Sequence, residues 1–234
     1  MNQYTLQSKL GEGAFSVVYK VNRKEDGLDY AMKKMRIMNF SDKELSNCLN
    51  EVRILASIED QHVVSYKDSF YDELTKTFCI VTEFLEGGDL AHVIHRHKNM
   101  KKPMNEKMIW EVAGQVLKGL DTLHKSKILH RDIKSANIFL TKDHRQIKLG
   151  DMNVSTVSNN GMARTQTGTP YYASPEVWNE KAYSTKCDIW SLGCVLYEMA
   201  TFKPPFVSND LRSLKRAIVA GIVKKIPNTY SSEL

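Results

Sequence analysis

The stretch "ILHRDIKSANIFL", residues 128–140, constrains this chain more than any other. Apolar runs flank a polar knot of His130, Arg131, Asp132, Lys134 and Asn137. A structural loop between strand-like flanks rarely needs five such groups, because each must find a partner once its flanks are buried. Phosphoryl transfer does need them: a carboxylate to orient a hydroxyl and accept its proton, a cation for developing charge, and an amide oxygen for Mg²⁺. Asp132, Lys134 and Asn137 fit those roles in that order.

The organisation around the loop divides in two. The first third reads as strands broken by one helix. "YTLQSKLGEGAFSVVYKVNRK" holds two β-like runs around a glycine turn, and "DYAMKKM", "VVSYKDSF" and "TFCIVTEF" are further strands. Between them Leu45, Cys48, Leu49, Val52 and Leu55 fall at helical spacing, and Ser41 with Glu44 forms a capping-box signature. From "EGGDL" onward the pattern is mostly helical. Met108, Val112, Val116, Leu120 and Leu123 share one face of a helix over 105–125, with Asn105 as N-cap, and residues 187–201 are apolar almost all round, which predicts a buried helix. "NDLRSLKRAIVAGI" is a last amphipathic segment, after Pro204 and Pro205. A strand-rich unit followed by a helix-rich one predicts an α+β protein of two lobes, residues 1–86 and 87–234, with Gly87 and Gly88 at the junction. Ligands commonly sit in clefts between such units.

With 234 residues and 42% hydrophobic content, the chain can bury a sizeable core. No stretch approaches the roughly 20 apolar residues of a membrane span, and "MNQYTLQSKL" lacks the apolar core of a secretory signal, so a soluble intracellular protein with no membrane partner is expected. Cys48, Cys79, Cys187 and Cys194 are scattered without a C-x-x-C pair, which favours reduced, buried thiols. The formal net charge of +6 is spread among interspersed acids and bases. It suits an anionic small ligand or acidic partner surfaces, and the absence of a basic stripe interleaved with aromatics argues against nucleic acid.

Other motifs are weaker alone. "GEGAFS", Gly11 to Ser16, allows backbone N–H groups to approach an anion, but an ordinary hairpin turn is at least as good a reading. A dinucleotide-binding reading fails, because no βαβ unit surrounds these glycines. Lys33, in "YAMKK", alternates to the face opposite Met32, and Glu51 lies on the apolar-striped helix; together they suit a pair that holds the lysine toward phosphates. In "IKLGDMNVST" a short apolar run presents Asp151, a carboxylate placed to meet a metal ion. His92, His95 and His97 lack a completing carboxylate or cysteine and read as a solvated helix end. The lysine pairs 101–102 and 224–225 read as solvated faces.

Taken in order, these motifs resemble those of the eukaryotic protein kinases: a Gly-rich loop, a strand lysine, a helix glutamate, an H-R-D-x-K-x-x-N loop, a metal aspartate and an activation segment. Lys134, two residues after Asp132, is similar to the serine/threonine class. "NEVRILASI", "FLEGGDL", "KLGD" and "GTPYYASPEVW" look most like the NIMA-related (NEK) subfamily. The resemblance runs from Tyr4 to Leu234 and implies a bilobal kinase fold, with an antiparallel-sheet N-lobe carrying one helix and a mostly helical C-lobe. It implies Mg²⁺-dependent transfer of the ATP γ-phosphoryl group to Ser/Thr hydroxyls of protein substrates. Gly11 and Gly13 would cover the phosphates, and Lys33, paired with Glu51, would contact the α- and β-phosphates. Adenine would lie between Val18 and Ala31 on one side and Phe139 on the other. It would hydrogen-bond the backbone at Glu83 and Leu85, with Thr82 guarding the back. Asp132 would be the catalytic carboxylate, and Asn137 and Asp151 the Mg²⁺ ligands.

The activation segment would run from Asp151 to Glu176. Thr165 matches the usual activating site and Thr167 is a second candidate; a phosphate there adds about −1.5 to −2 charge and would pair with Arg131. Both also read simply as exposed loop threonines. Thr169 would help hold Asp132 and Lys134, and Asp188 would brace the catalytic loop by accepting its backbone N–H groups. Subfamily likeness implies cytoplasmic work with cytoskeletal or ciliary association, linked to the cell cycle. Oligomeric state is not legible.

Three departures temper this pattern. D-F-G is replaced by Asp151-Met152-Asn153. Met152 would fill the ring's space in a column with Leu55, Tyr66 and His130, and Asn153 tolerates positive φ, at a cost of order 1 kcal/mol. Ser16 stands where a third glycine is expected, and "SPE" replaces A-P-E. The sequence stops at "SSEL", where such kinases continue, so the C-lobe is expected to be C-terminally truncated, leaving Glu176 without its arginine. Losing one partner of a buried ion pair costs about 3–5 kcal/mol. The competing reading is therefore a weakly active kinase-fold module that binds or regulates partners.

Overall fold

The computed structural model describes residues 3–13, 16–36, 46, 49, 52–53, 56–150, 171–180 and 184–234. The expectations for Cys48, Glu51, Leu55, Asp151, Met152, Asn153, Thr165, Thr167 and Thr169, and for the capping box at 41–44, lie outside the described residues. The chain divides into two compact units, the first covering Met1–Leu85 and the second beginning at Glu86.

The first unit is an antiparallel sheet of β1 (Tyr4–Glu12), β2 (Ser16–Arg23), β3 (Asp29–Arg36), β4 (Tyr66–Asp72) and β5 (Thr77–Glu83), in the order β1-β2-β3-β5-β4. Its period-2 alternation sorts β3 between two apolar groups. Tyr30 and Met32 join Tyr4, Val21, Cys79 and Val81, with Tyr4 stacked on Phe70 at 5.8 Å. Met35 joins Phe78 and Ile80, against which Val52 and Tyr66 pack. Val52 and Leu49 are both helical, but Leu49 is 45% exposed and does not share the buried stripe that its spacing predicted.

The second unit is built on helices. α1 (Leu90–Asn99) is capped by Asp89, whose side chain accepts from the His92 N–H, and α2 (Glu106–Lys125) by Asn105, which accepts from the Lys107 N–H. The buried stripe of α2 runs through Ile109, Val112, Ala113, Val116, Leu120 and Leu123. Met108 is only half-buried, because Ile109 rather than its neighbour falls in phase with Val112 and Val116. A 3-10 turn (Ser135–Asn137) leads into a two-stranded sheet of β6 (Ile138–Leu140) and β7 (Ile147–Leu149). α3 (Pro175–Trp178), α4 (Lys186–Thr201) and α5 (Leu211–Ala220) follow. Cys194, Phe206, Leu214 and Ile218 form a core joining α4 to α5. α4 is not buried all round, since Ile189 is 42% exposed.

The junction is zipped to β6. Gly87 N–H donates to Leu140 O at 3.0 Å, and Leu140 N–H donates to Gly88 O at 2.9 Å. A Cβ on Gly87 would stand 2.3 Å from Thr141 O, so only glycine lets this turn approach the end of β6 so closely.

Candidate active site

The polar knot at 130–137 is held from three sides. Asp188, near the start of α4 and 1% exposed, accepts the backbone N–H groups of His130 at 3.1 Å and Arg131 at 2.9 Å. Its Oδ2 also accepts from His124 Nε2 at 2.8 Å. A buried carboxylate is costly without donors, and here it has three. These bonds hold Arg131 at φ +63°, a left-handed conformation that side chains other than glycine seldom adopt.

His130 is fully buried and links the loop to β7. Its Nδ1 accepts from the Asp132 N–H at 3.3 Å, so its Nε2 carries the proton and donates to Gly150 O at 3.1 Å. The Gly150 N–H donates in turn to Asn137 O at 3.0 Å. The residue immediately before Asp151 is thereby fastened to both His130 and Asn137.

The chemical groups converge on one oxygen. Asp132 Oδ2 accepts from Lys134 Nζ at 2.8 Å and from Asn137 Nδ2 at 2.9 Å. Asn137 Nδ2 donates its other hydrogen to Asp132 O at 2.8 Å. Both amide hydrogens are therefore spent, and Asn137 Oδ1 has no donor among the described residues. The Asp132 side chain is only 12% exposed, so its charge is weakly screened and the two donors fix its orientation.

A further layer supports the loop. Ser135 Oγ lies 3.5 Å from Tyr172 OH, which donates to Glu198 Oε2 at 2.8 Å. Burial, reinforced by the Glu198 charge, pushes the Tyr172 phenol well above the usual tyrosine range, so it remains a donor. Gln115 on α2 accepts from the Ile147 N–H at 2.9 Å and donates to Arg145 O at 3.0 Å, pinning the β6–β7 turn. Sequence reasoning missed His124, Gln115, Tyr172 and Glu198. The available signal was weak: Gln115 is a polar residue placed beside the apolar stripe of α2.

In the first unit, register places five predicted residues on one face of the sheet. Directly opposed residues share a face, and Gly11 opposes Val18, Val18 opposes Lys33, and Ala31 opposes Thr82. Lys33 therefore points away from Met32, as its alternation predicts. Gly13 closes the turn by donating its N–H to Ser16 O at 2.7 Å. Glu83 donates its backbone N–H to Ser65 O and accepts the Ser65 N–H on its side chain, and Leu85 is buried. In the second unit Phe139, on β6, is half-buried and bridges Asp89. Glu176, on α3, is half-buried and makes no hydrogen bond or ion pair among the described residues. His92 lies 2.6 Å from Asp89 at the surface, and no group of three potential metal ligands occurs among the described residues. Likewise, no described helix is long and apolar enough to cross a membrane.

Comparison with known proteins gives this arrangement its family. The protein kinase domain model matches residues 4–233. The probable serine/threonine-protein kinase nek2 of Dictyostelium discoideum is 40% identical over the whole chain, which spans 57% of that protein. Serine/threonine-protein kinase Nek1 of Mus musculus is 41% identical over the whole chain, which spans 19% of it. Serine/threonine-protein kinase Nek2 of Homo sapiens is 36% identical over 99% of the chain, which spans 53% of that protein. The chain thus covers only part of the length of these relatives. With Lys134 and Asn137 meeting on the Asp132 carboxylate and the kinase-domain match running over residues 4–233, the chain belongs to the protein kinase family and is similar along its length to serine/threonine kinases named Nek.

Proposed function

We propose that this chain transfers the γ-phosphoryl group of ATP to serine and threonine hydroxyls of protein substrates. The observation that carries this reading is the convergence of Lys134 and Asn137 on Asp132 Oδ2. Asp132 is the group that orients the substrate hydroxyl and takes its proton as the oxygen attacks phosphorus. Lys134, already bonded to that carboxylate, offers its remaining hydrogens to the transferring phosphoryl oxygens, where negative charge spreads.

The donor set suits Mg²⁺, a hard cation that prefers oxygen. Asn137 presents its amide oxygen because both its hydrogens are committed to Asp132. Asn137 and Asp151 are the proposed metal ligands, and bound Mg²⁺ neutralises phosphate charge. On the nucleotide, Gly11, Gly13 and Lys33 are assigned to the phosphates, with Glu51 pairing Lys33. Val18, Ala31, Thr82, Glu83, Leu85 and Phe139 are assigned to the base. Residues 1–86 serve as N-lobe with hinge and 87–234 as C-lobe. Phosphorylation at Thr165 or Thr167 would set activity, with Thr169 and Glu176 supporting the segment. Cytoskeletal or ciliary work is the proposed biological setting, which rests on the subfamily resemblance of the sequence.

The test is transfer of labelled phosphate from Mg·ATP to a generic serine/threonine peptide by this chain. Asp132→Asn and Lys134→Ala should each lower kcat by about 10²-fold or more with little change in KM for ATP. Transfer unaffected by Asp132→Asn would end this assignment.

A further inference from the structure

The outer face of α5 and the turn after it form an unusual surface. Leu214 and Ile218 of α5 are buried in the core shared with Cys194 and Phe206. Leu211, Arg212, Arg216 and Val219 project from the other side into solvent. The turn continues this face with Ile222, 83% exposed, then Val223, Lys224 and Lys225. Scattered exposed aliphatic residues need no explanation, but here four, Leu211, Val219, Ile222 and Val223, stand in solvent within thirteen residues.

Its charge is equally one-sided. From Leu211 to Ser232 the chain has five cations, Arg212, Lys215, Arg216, Lys224 and Lys225, and no acidic residue. None of the five is in an ion pair among the described residues. By contrast, Lys125 is compensated by Asp121 and Lys142 by Glu86. Asp210, whose charge Arg216 feels, is engaged as N-cap by the Ser213 N–H. The surface is also well anchored. Gly221 closes α5 at φ +66°, and Tyr230 OH donates to Met104 O at 3.1 Å, tying the segment beyond it to the start of α2.

We infer that this face docks an acidic segment of a protein partner that carries aliphatic side chains. Charge complementarity specifies the acids, and the aliphatic anchors specify apolar side chains spaced among them. Aliphatic residues without an exposed Trp, Tyr or Phe fit a peptide better than a bilayer interface, where aromatic residues are enriched. The same lack of aromatic platforms argues against single-stranded nucleic acid. The face lies on residues distinct from those assigned to phosphate transfer, so it supplies recognition without chemistry.

The experiment is fluorescence anisotropy with the full chain and a fluorescein-labelled peptide alternating Glu and Asp with Leu and Ile. A matched peptide with Ser replacing the aliphatic residues, and phosphatidylserine vesicles, run alongside. The aliphatic peptide should bind, and rising salt should weaken it. K215E/R216E should weaken it by about tenfold or more, with the thermal midpoint unchanged. Ile222→Ser should weaken it severalfold, and Asp132→Asn should leave it unaltered. No binding, equal binding by the serine peptide, indifference to K215E/R216E, or capture by vesicles in place of the peptide would each overturn the inference.

Discussion

His124 Nε2 and Asp188 Oδ2, 64 positions apart in sequence, lie 2.8 Å from each other and join the end of α2 to the start of α4 beside the 130–137 loop. The same carboxylate orders the backbone of His130 and Arg131. Asp188→Ala would strand two backbone N–H groups as well as the imidazole, and each stranded donor costs about 1–3 kcal/mol. The expected loss is about 3–5 kcal/mol, with Asp188→Asn and His124→Ala each costing less. Urea denaturation of the three variants checks the order; an Asp188→Ala variant as stable as its parent would refute it.

Gly87 and Gly114 make a contrasting pair. A methyl group on Gly87 meets backbone oxygens at 2.3 and 2.6 Å, whereas one on Gly114, within α2, meets nothing within 4 Å. Gly87→Ala should therefore destabilise by about 1–3 kcal/mol or more. Gly114→Ala should stabilise by up to about 1 kcal/mol, through helix propensity. Thermal melts of the two variants should move in opposite directions.

The buried thiols should be inert. Burial, with Asp188 and Glu176 nearby, pushes Cys187 up to about 12, and burial with the Glu198 charge does the same to Cys194. At pH 8 both stay protonated and covered, and thiols react as thiolates. Iodoacetamide should leave Cys187 and Cys194 unmodified in the native chain and label both in urea, as read by peptide mass spectrometry. Native labelling of either would contradict the packing around α4.

Acid should weaken the sheet through Asp72. Its carboxyl is held below the usual range, first by the Thr75 hydroxyl and then by Lys34 at 3.1 Å, against the opposing effect of burial. The unfolded chain then binds the proton more readily, so this stabilisation is present above about pH 4 and is lost as pH falls through the folded value. Thr75→Val should flatten the decline of urea midpoint between about pH 5 and pH 2. An unchanged slope would remove Asp72 from the account of acid lability.

Local chemistry made much of this protein legible. Alternation marked the strands, Asn105 marked the start of α2, and the polar knot marked the loop in which Lys134 and Asn137 meet Asp132. Where the sequence misled, neighbouring positions competed for one phase. Met108 and Ile109 are both apolar, and only packing against the second unit's core selects Ile109. The supports of the loop were hidden for a different reason. Gln115, His124 and Glu198 act across long sequence separations, and no local pattern records which backbone group a side chain will meet.

The double fastening of Gly150 has a mechanical consequence. Its carbonyl is held by His130 and its N–H by Asn137, so the end of β7 is riveted to the 130–137 loop through two successive peptide units. A disturbance that reaches Gly150 meets His130 and Asn137 together, so the 130–137 loop and the end of β7 should lose order as one unit.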